Sequence, residues 1–147
     1  MTQTRDTDLT GKTKMSARVV FWICLINSIT SLFFGGLMMA IPVDTPLGLG
    51  ALLPAMGDFP FQELFFRDLF WPGLALVLCN GVGNTVAVVA LLKKAKVGYT
   101  LSLVSGVLLI AWCCFENIYM FNPPAVFYTV VGLIQIVVSR RLSLDNA

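Results

Sequence analysis

Histidine is absent from this chain of 147 residues, and charged residues make up only 12% of it. Because histidine is the commonest general base and the commonest metal ligand, its absence argues against a catalytic or metal site. A soluble domain usually carries about 25% charged residues, so the low charge does not fit a soluble fold. The net charge of +2 is too small to indicate a nucleic-acid partner. The sequence predicts no catalytic residue, no metal site, no cofactor and no nucleic acid.

The cysteines also lack the arrangement of a redox or metal site, since none of them stands in a C-x-x-C pair. All lie inside apolar segments, where cysteine usually packs as a small hydrophobic side chain. Neighbouring residues on a helix point about 100° apart, so a bond between Cys113 and Cys114 would strain the backbone. We therefore interpret the cysteines as packing residues.

Apolar residues are abundant, at 57%, and they form four long runs. The first run, residues 19–41, carries no charge. As a helix it would extend roughly 34 Å, which exceeds the hydrocarbon thickness of a bilayer. Similar runs cover residues 69–92, 97–117 and 123–141. Buried helices of soluble proteins rarely continue so far without charge, so the pattern predicts an all-α membrane protein, a bundle of four transmembrane helices.

The basic residues indicate the orientation of this bundle. Nine of the ten lie in residues 1–18, 93–96 and 140–141, which four helices place on one side; only Arg67 lies opposite. The positive-inside rule assigns the richer side to the cytoplasm. We therefore predict a multi-pass protein with both termini cytoplasmic. Residues 1–18 form a loosely ordered tail, 142–147 a short second tail, and 42–68 an external loop.

The external loop has two different halves. Its first half is rich in glycine and proline and is expected to be irregular. Its second half, residues 59–70, has the apolar aromatic face of a short interfacial helix. Glu63 and Arg67 are four residues apart there, which is the spacing of an ion pair on a helix.

Most polar side chains inside the runs lie at similar depth. Asn27 and Asn84 are each about 12 Å from the cytoplasmic ends of their helices, and Asn80 lies one turn further out, on the same face as Asn84. Ser102, in a stripe of small residues with Gly98 and Gly106, and Gln135 also lie nearer the cytoplasmic ends. Because carboxamides need partners in hydrocarbon, Asn27 and Asn84 are expected to approach each other, directly or through water.

Two interpretations of this polar set remain open. Carboxamides and small residues hold neighbouring helices together by hydrogen bonds and close packing. Alternatively, they form a polar pocket for a ligand headgroup or an ion, since several carboxamides at one depth exceed what packing requires. The candidate ligand-binding residues are Asn27, Asn80, Asn84, Ser102, Glu116 and Gln135.

Glu116 is the only acidic residue that the four runs can accommodate, and it falls about 29 Å from the inner end of its helix, near the outer interface. One interpretation makes it a solvated helix-end charge or a partner of Arg67, beneath residues 59–70. The other makes it a carboxylate that binds a proton or a cation.

Several stretches carry a likeness to known proteins: FWPGLALVLCNGVGNTVAVVALLKK at residues 70–94, then SLFFGGLMMAIP and LLIAWCCFENIYM. The layout resembles that of small four-helix bacterial membrane proteins, which are DoxX-like in size. The resemblance implies a fold and a location in the bacterial inner membrane, but no activity.

The predicted function is non-enzymatic: an accessory membrane protein, or one that binds a lipid or another hydrophobic small molecule. The alternative is a small transporter or channel subunit that uses Glu116 with Asn27, Asn80 and Asn84. A third possibility is an enzyme that acts on a lipophilic substrate. The expected partners are membrane lipids, a hydrophobic small molecule and further copies of the chain in a homo-oligomer.

Overall fold

A computed structural model describes residues 3–43, 46–119 and 123–145, and within these ranges the chain is mainly helical and has no strands. Four helical segments are long and apolar enough to cross a membrane, and we call them spans 1 to 4 in chain order. They are Lys14–Ala40, Phe70–Leu92, Val97–Tyr119 and Pro123–Asp145. The predicted all-α bundle of four transmembrane helices is confirmed.

The helices follow one another with short connections. In chain order they are α1 (Gln3–Ala40), α2 (Leu52–Ala55), α3 (Gln62–Phe65), α4 (Phe70–Ala75), α5 (Gly83–Leu92), α6 (Val97–Tyr119) and α7 (Pro123–Asp145). A π-helical segment, Leu76–Val82, joins α4 to α5 and completes span 2. Residues 3–18, where a loosely ordered tail is expected, continue helix α1, because no proline interrupts its hydrogen bonds.

The spans pack in an up-and-down ring in which each lies against its two sequence neighbours and span 4 returns to span 1. Glycine permits the closest crossing of spans 1 and 2. A Cβ atom on Gly35 would lie 2.8 Å from the carbonyl oxygen of Gly73, and one on Gly73 would lie 2.7 Å from that of Gly35. The predicted small-residue stripe on α6, from Gly98 to Gly106, faces the bundle interior, since its members are buried.

The bundle has two distinct ends. The start of span 1, the 93–96 turn and the end of span 4 lie at one end, which we call the termini end. The long connection between spans 1 and 2 lies at the other, the loop end. Apolar clusters occupy both ends. The termini-end cluster contains Val20, Cys24, Ala87, Val88 and Leu142. The loop-end cluster contains Met38, Met56, Phe59, Phe66 and Leu69.

The long connection differs from its expected form. In place of a helix over residues 59–70 there is one turn, α3, followed by bends up to Leu69. The N–H of Leu69 donates to the Pro42 carbonyl at 3.0 Å, and this closure of the loop ends the local helix. The first half, where irregular structure is expected, contains successive helical turns over residues 49–58.

The expected ion pair in this connection is also not formed. Helix α3 ends at Phe65, so Arg67 lies beyond the last turn and the helical spacing to Glu63 is lost. Both side chains are exposed, and the described part of the chain shows no ion pair between them.

Candidate functional site

A buried network of polar side chains joins all four spans near the middle of the bundle. Its centre is Gln135 of α7, which has no exposed surface. Its Oε1 accepts a hydrogen bond from Asn27 Nδ2 at 3.3 Å, and its Nε2 donates to Asn84 Oδ1 at 2.9 Å. The same Nε2 donates to the carbonyl oxygen of Ser102 at 2.9 Å. One carboxamide therefore links spans 1, 2 and 3 to span 4.

One branch of the network leads towards the loop end. Asn84 Nδ2 donates to Asn80 Oδ1 at 2.7 Å and to the Asn80 carbonyl at 2.8 Å, and Asn80 Nδ2 donates to Ser31 Oγ at 2.6 Å. Asn80 belongs to the π-helical segment of span 2. Segments of this kind are rare and frequently occur at functional sites. The branch ends at Asn80 and Ser31, about halfway across the bundle.

A second branch leads towards the termini end. Ser102 Oγ lies 2.9 Å from Ser139 Oγ and accepts a hydrogen bond from Cys24 Sγ at 3.1 Å. Among the described residues, every buried polar side-chain atom has a partner. In this half of the bundle the polar residues thus hold neighbouring helices together by hydrogen bonds, which agrees with the packing interpretation.

Asn27 and Asn84 meet in a different way from the one expected. The sequence predicts a direct approach or one through water, whereas the structure places the Gln135 carboxamide between them. The depth estimates correctly bring the two asparagines to one level. They put Gln135 only near that level, because helix rise alone does not tell which side chain reaches the bundle axis.

The loop-end half of the bundle holds a cavity of about 420 Å³. All four spans contribute to its wall, and the 48–56 segment of the long connection covers it. Ser31 and Asn80 lie at its inner end and Glu116 lines its outer part, while side chains such as Leu76 and Leu109 make the wall between them apolar. The cavity therefore begins where the polar network stops.

Glu116 lines this cavity and is half-buried. The indole Nε1 of Trp112, one turn earlier on α6, donates a hydrogen bond to Glu116 Oε1 at 2.9 Å. No ion pair between Glu116 and Arg67 occurs among the described residues, and Arg67 is exposed. One hydrogen bond from its own helix thus helps to hold the carboxyl group of Glu116 at the cavity wall.

The segment expected above Glu116 packs instead on the adjacent residue. The rings of Phe59 and Phe66 lie 5.3 Å and 6.1 Å from the ring of Phe115, measured between centroids. Neighbouring residues on a helix point about 100° apart, so Phe115 and Glu116 belong to different faces of α6. Residues 59–66 anchor the long connection, whereas residues 48–56 cover the cavity.

Some residues of the cavity give no distinctive signal in the sequence. Trp112, Cys113 and Tyr128 line it, but each looks like an ordinary residue of an apolar helix. The only available signal was the spacing of four between Trp112 and Glu116, which places an indole N–H within reach of a carboxylate on one helix face.

Comparisons of the chain with protein-family models, curated proteins and solved structures found no match. The resemblance to DoxX-like bacterial proteins therefore stays a prediction.

Proposed function

We propose that this integral membrane protein binds a lipid or another hydrophobic small molecule in the loop-end cavity, without catalysing a reaction. The observation that carries the proposal is the cavity itself: about 420 Å³, surrounded by four spans and covered by the 48–56 segment. Ligand sites commonly have volumes of about 300–1,000 Å³ with apolar walls and a few polar groups. The cavity has a volume in this range, and its wall is apolar apart from a few polar groups.

The polar groups at the two ends of the cavity suit a ligand with an apolar body. Ser31 Oγ accepts the hydrogen bond from Asn80, and a hydroxyl also carries a proton that it can donate. Glu116 offers a carboxyl group at the other end. Between them the apolar wall favours hydrocarbon, because burial of apolar surface is favourable at roughly 25 cal/mol per Å² where the ligand comes from water.

Trp112 provides a direct assay of binding. The other two tryptophans, Trp22 and Trp71, are 57% and 45% exposed, so Trp22→Phe and Trp71→Phe leave one tryptophan, in the cavity wall, with little disturbance. The protein in nanodiscs is titrated with a brominated fatty alcohol, which quenches indole fluorescence on contact. Saturable quenching is expected, and linear quenching at the level of lipid-exposed tryptophan would refute the proposal.

A filled cavity is the matched test. Ala125 lines the cavity and is 2% exposed, so Ala125→Leu places three further carbons in it. Ala111 lies on the same level of the bundle but is exposed, so Ala111→Leu adds the same atoms on the outer surface. The affinity measured from saturable quenching should fall at least about fivefold in Ala125→Leu and should not change in Ala111→Leu. Native mass spectrometry of the wild type reports any retained ligand and whether the chain forms the expected homo-oligomer.

We also propose an orientation, with the termini end in the cytoplasm of a bacterial cell and the cavity in the outer half of the inner membrane. It is supported by the nine of ten basic residues that lie in the segments of the termini end. A ligand would then enter from the outer leaflet or from the external space.

A small transporter or channel subunit is the second candidate, because the polar network extends from Asn80 through Gln135 and Ser102 to Ser139, and the cavity extends from Asn80 to Glu116. The polar side chains from Asn80 to Ser139 form their hydrogen bonds with one another, so transport would require these bonds to break. Proton or cation flux into proteoliposomes tests this candidate. Flux that disappears in Asn80→Leu and persists in Ala111→Leu would support it, and flux equal to that of empty liposomes would exclude it.

A further inference from the structure

The charged residues of the cavity wall have only one sign among the described residues. Glu116 is the only acidic residue among the described residues that line it, and no lysine or arginine lies among them. The apolar surroundings lower the effective dielectric constant, which strengthens the attraction between a carboxylate and a cation. An anionic ligand group at this end would meet repulsion instead, so the wall discriminates by sign.

Aromatic side chains surround the same space. Phe34 of span 1, Trp112 of span 3 and Tyr128 of span 4 all line the cavity and are half-buried. The face of an aromatic ring attracts a cation within about 6 Å of its centroid, and tryptophan is the strongest of the three. A carboxylate combined with aromatic faces in an apolar site is a combination suited to substituted ammonium groups.

The position of Glu116 indicates how a bound amphiphile would be oriented in the cavity. It lies near the loop end of α6, which ends at Tyr119, whereas Ser31 and Asn80 lie about 10 Å deeper in the bundle. Charged groups in membranes stay close to the interface, and apolar chains extend towards the bilayer centre. An amphiphile in this cavity would therefore have its head at Glu116 and its tail towards Asn80.

We infer that the ligand class of the cavity is the lipophilic cation: a molecule whose ammonium or similar cationic group meets Glu116 and the aromatic rings, and whose apolar chain fills the cavity down to Ser31 and Asn80. This inference rests on the proposed function, since it specifies the occupant of the same cavity. It excludes fatty acids and other anionic amphiphiles as preferred ligands.

The test compares two probes with the same chain, decyltrimethylammonium and decanol. Both are titrated into the single-tryptophan protein, which retains Trp112, in nanodiscs of phosphatidylcholine, where the bilayer has no net charge. The cation is expected to bind at least about tenfold more tightly than decanol, relative to the partitioning of each probe into empty nanodiscs. Glu116→Gln should remove most of this preference and change decanol binding less than about twofold.

The control variant is Glu63→Gln, because it removes the same charge from the exposed part of the long connection, outside the cavity wall. It should bind both probes as the parent does. Tyr128→Leu, which removes one ring but no charge, should weaken the binding of the cation more than the binding of decanol. Thermal melting of each variant shows that the fold is retained.

The outcomes separate this inference from the proposed function. If neither probe changes the fluorescence of Trp112 in a saturable way, the proposed function itself fails. If decanol binds and the cation shows no preference, or if Glu116→Gln and Glu63→Gln reduce cation binding equally, the cavity binds ligands but the inference about cations is wrong.

Discussion

Replacing Gln135 by leucine should destabilise the bundle more than any other single polar-to-apolar change in the network. Leucine nearly matches the volume of glutamine, so the change removes hydrogen bonds without leaving a large cavity. The lost bonds join Gln135 to Asn27, Asn84 and the Ser102 carbonyl, at 3.3, 2.9 and 2.9 Å. Each of these partners lies on a different span, so the change loosens three interfaces at once.

The size of the effect follows from those three bonds. An interhelical hydrogen bond in a membrane protein contributes about 0.6 kcal/mol on average, so the loss of three costs about 2 kcal/mol. The cost rises to about 5 kcal/mol if Asn27 Nδ2 and Asn84 Oδ1 find no new partners in the apolar interior. Ser139→Ala removes only the bond to Ser102 Oγ and should cost about 0.6 kcal/mol.

The assay is equilibrium unfolding by sodium dodecyl sulfate in mixed micelles, followed by tryptophan fluorescence. Thr30→Val is the control, because the Thr30 hydroxyl donates only to the carbonyl groups of Ile26 and Asn27 in its own helix. This variant should change the free energy of unfolding by less than about 0.5 kcal/mol. The reasoning is refuted if Gln135→Leu unfolds at the same detergent fraction as Thr30→Val.

Two further predictions concern packing and orientation. Gly35→Ala should lower the melting temperature because its Cβ would meet the Gly73 carbonyl at 2.8 Å. Gly36→Ala should not, since a Cβ there would meet no atom within 4 Å apart from its neighbours along the same helix, and equal melting of the two variants would contradict the close crossing. In a background without the native cysteines, a membrane-impermeant maleimide should label a cysteine at Gly57 from outside intact cells and one at Lys96 only after lysis. The opposite pattern would reverse the proposed orientation.

Much of the architecture was predictable because its cause is local. An uncharged run long enough to cross hydrocarbon leaves a helix as the only way to satisfy its backbone, so the four apolar runs predict the four spans. Helix rise is equally regular, and counting residues brought Asn27 and Asn84 to one depth. The basic residues likewise group at one end as soon as four spans are counted.

The rotation of each helix about its own axis was not predictable in this way. Apolar side chains face both lipid and the interior of a membrane bundle, so hydrophobic periodicity indicates no inner face. For this reason the central position of Gln135 appeared only when the four spans were packed. The long connection shows the same limit, because the bond from Leu69 to Pro42 ends a helix that the local pattern favours.

The sequence by itself determined that this chain is a bundle of four membrane-spanning helices, and which polar residues it carries at which depth. Only the tertiary structure decided that the inner polar residues bind one another while Glu116 faces an apolar cavity with Trp112 beside it. The physical reason is that span length and depth depend on local properties of one helix. A cavity, in contrast, is the space that four helices and a loop leave between them, and its volume depends on side chains from all of them.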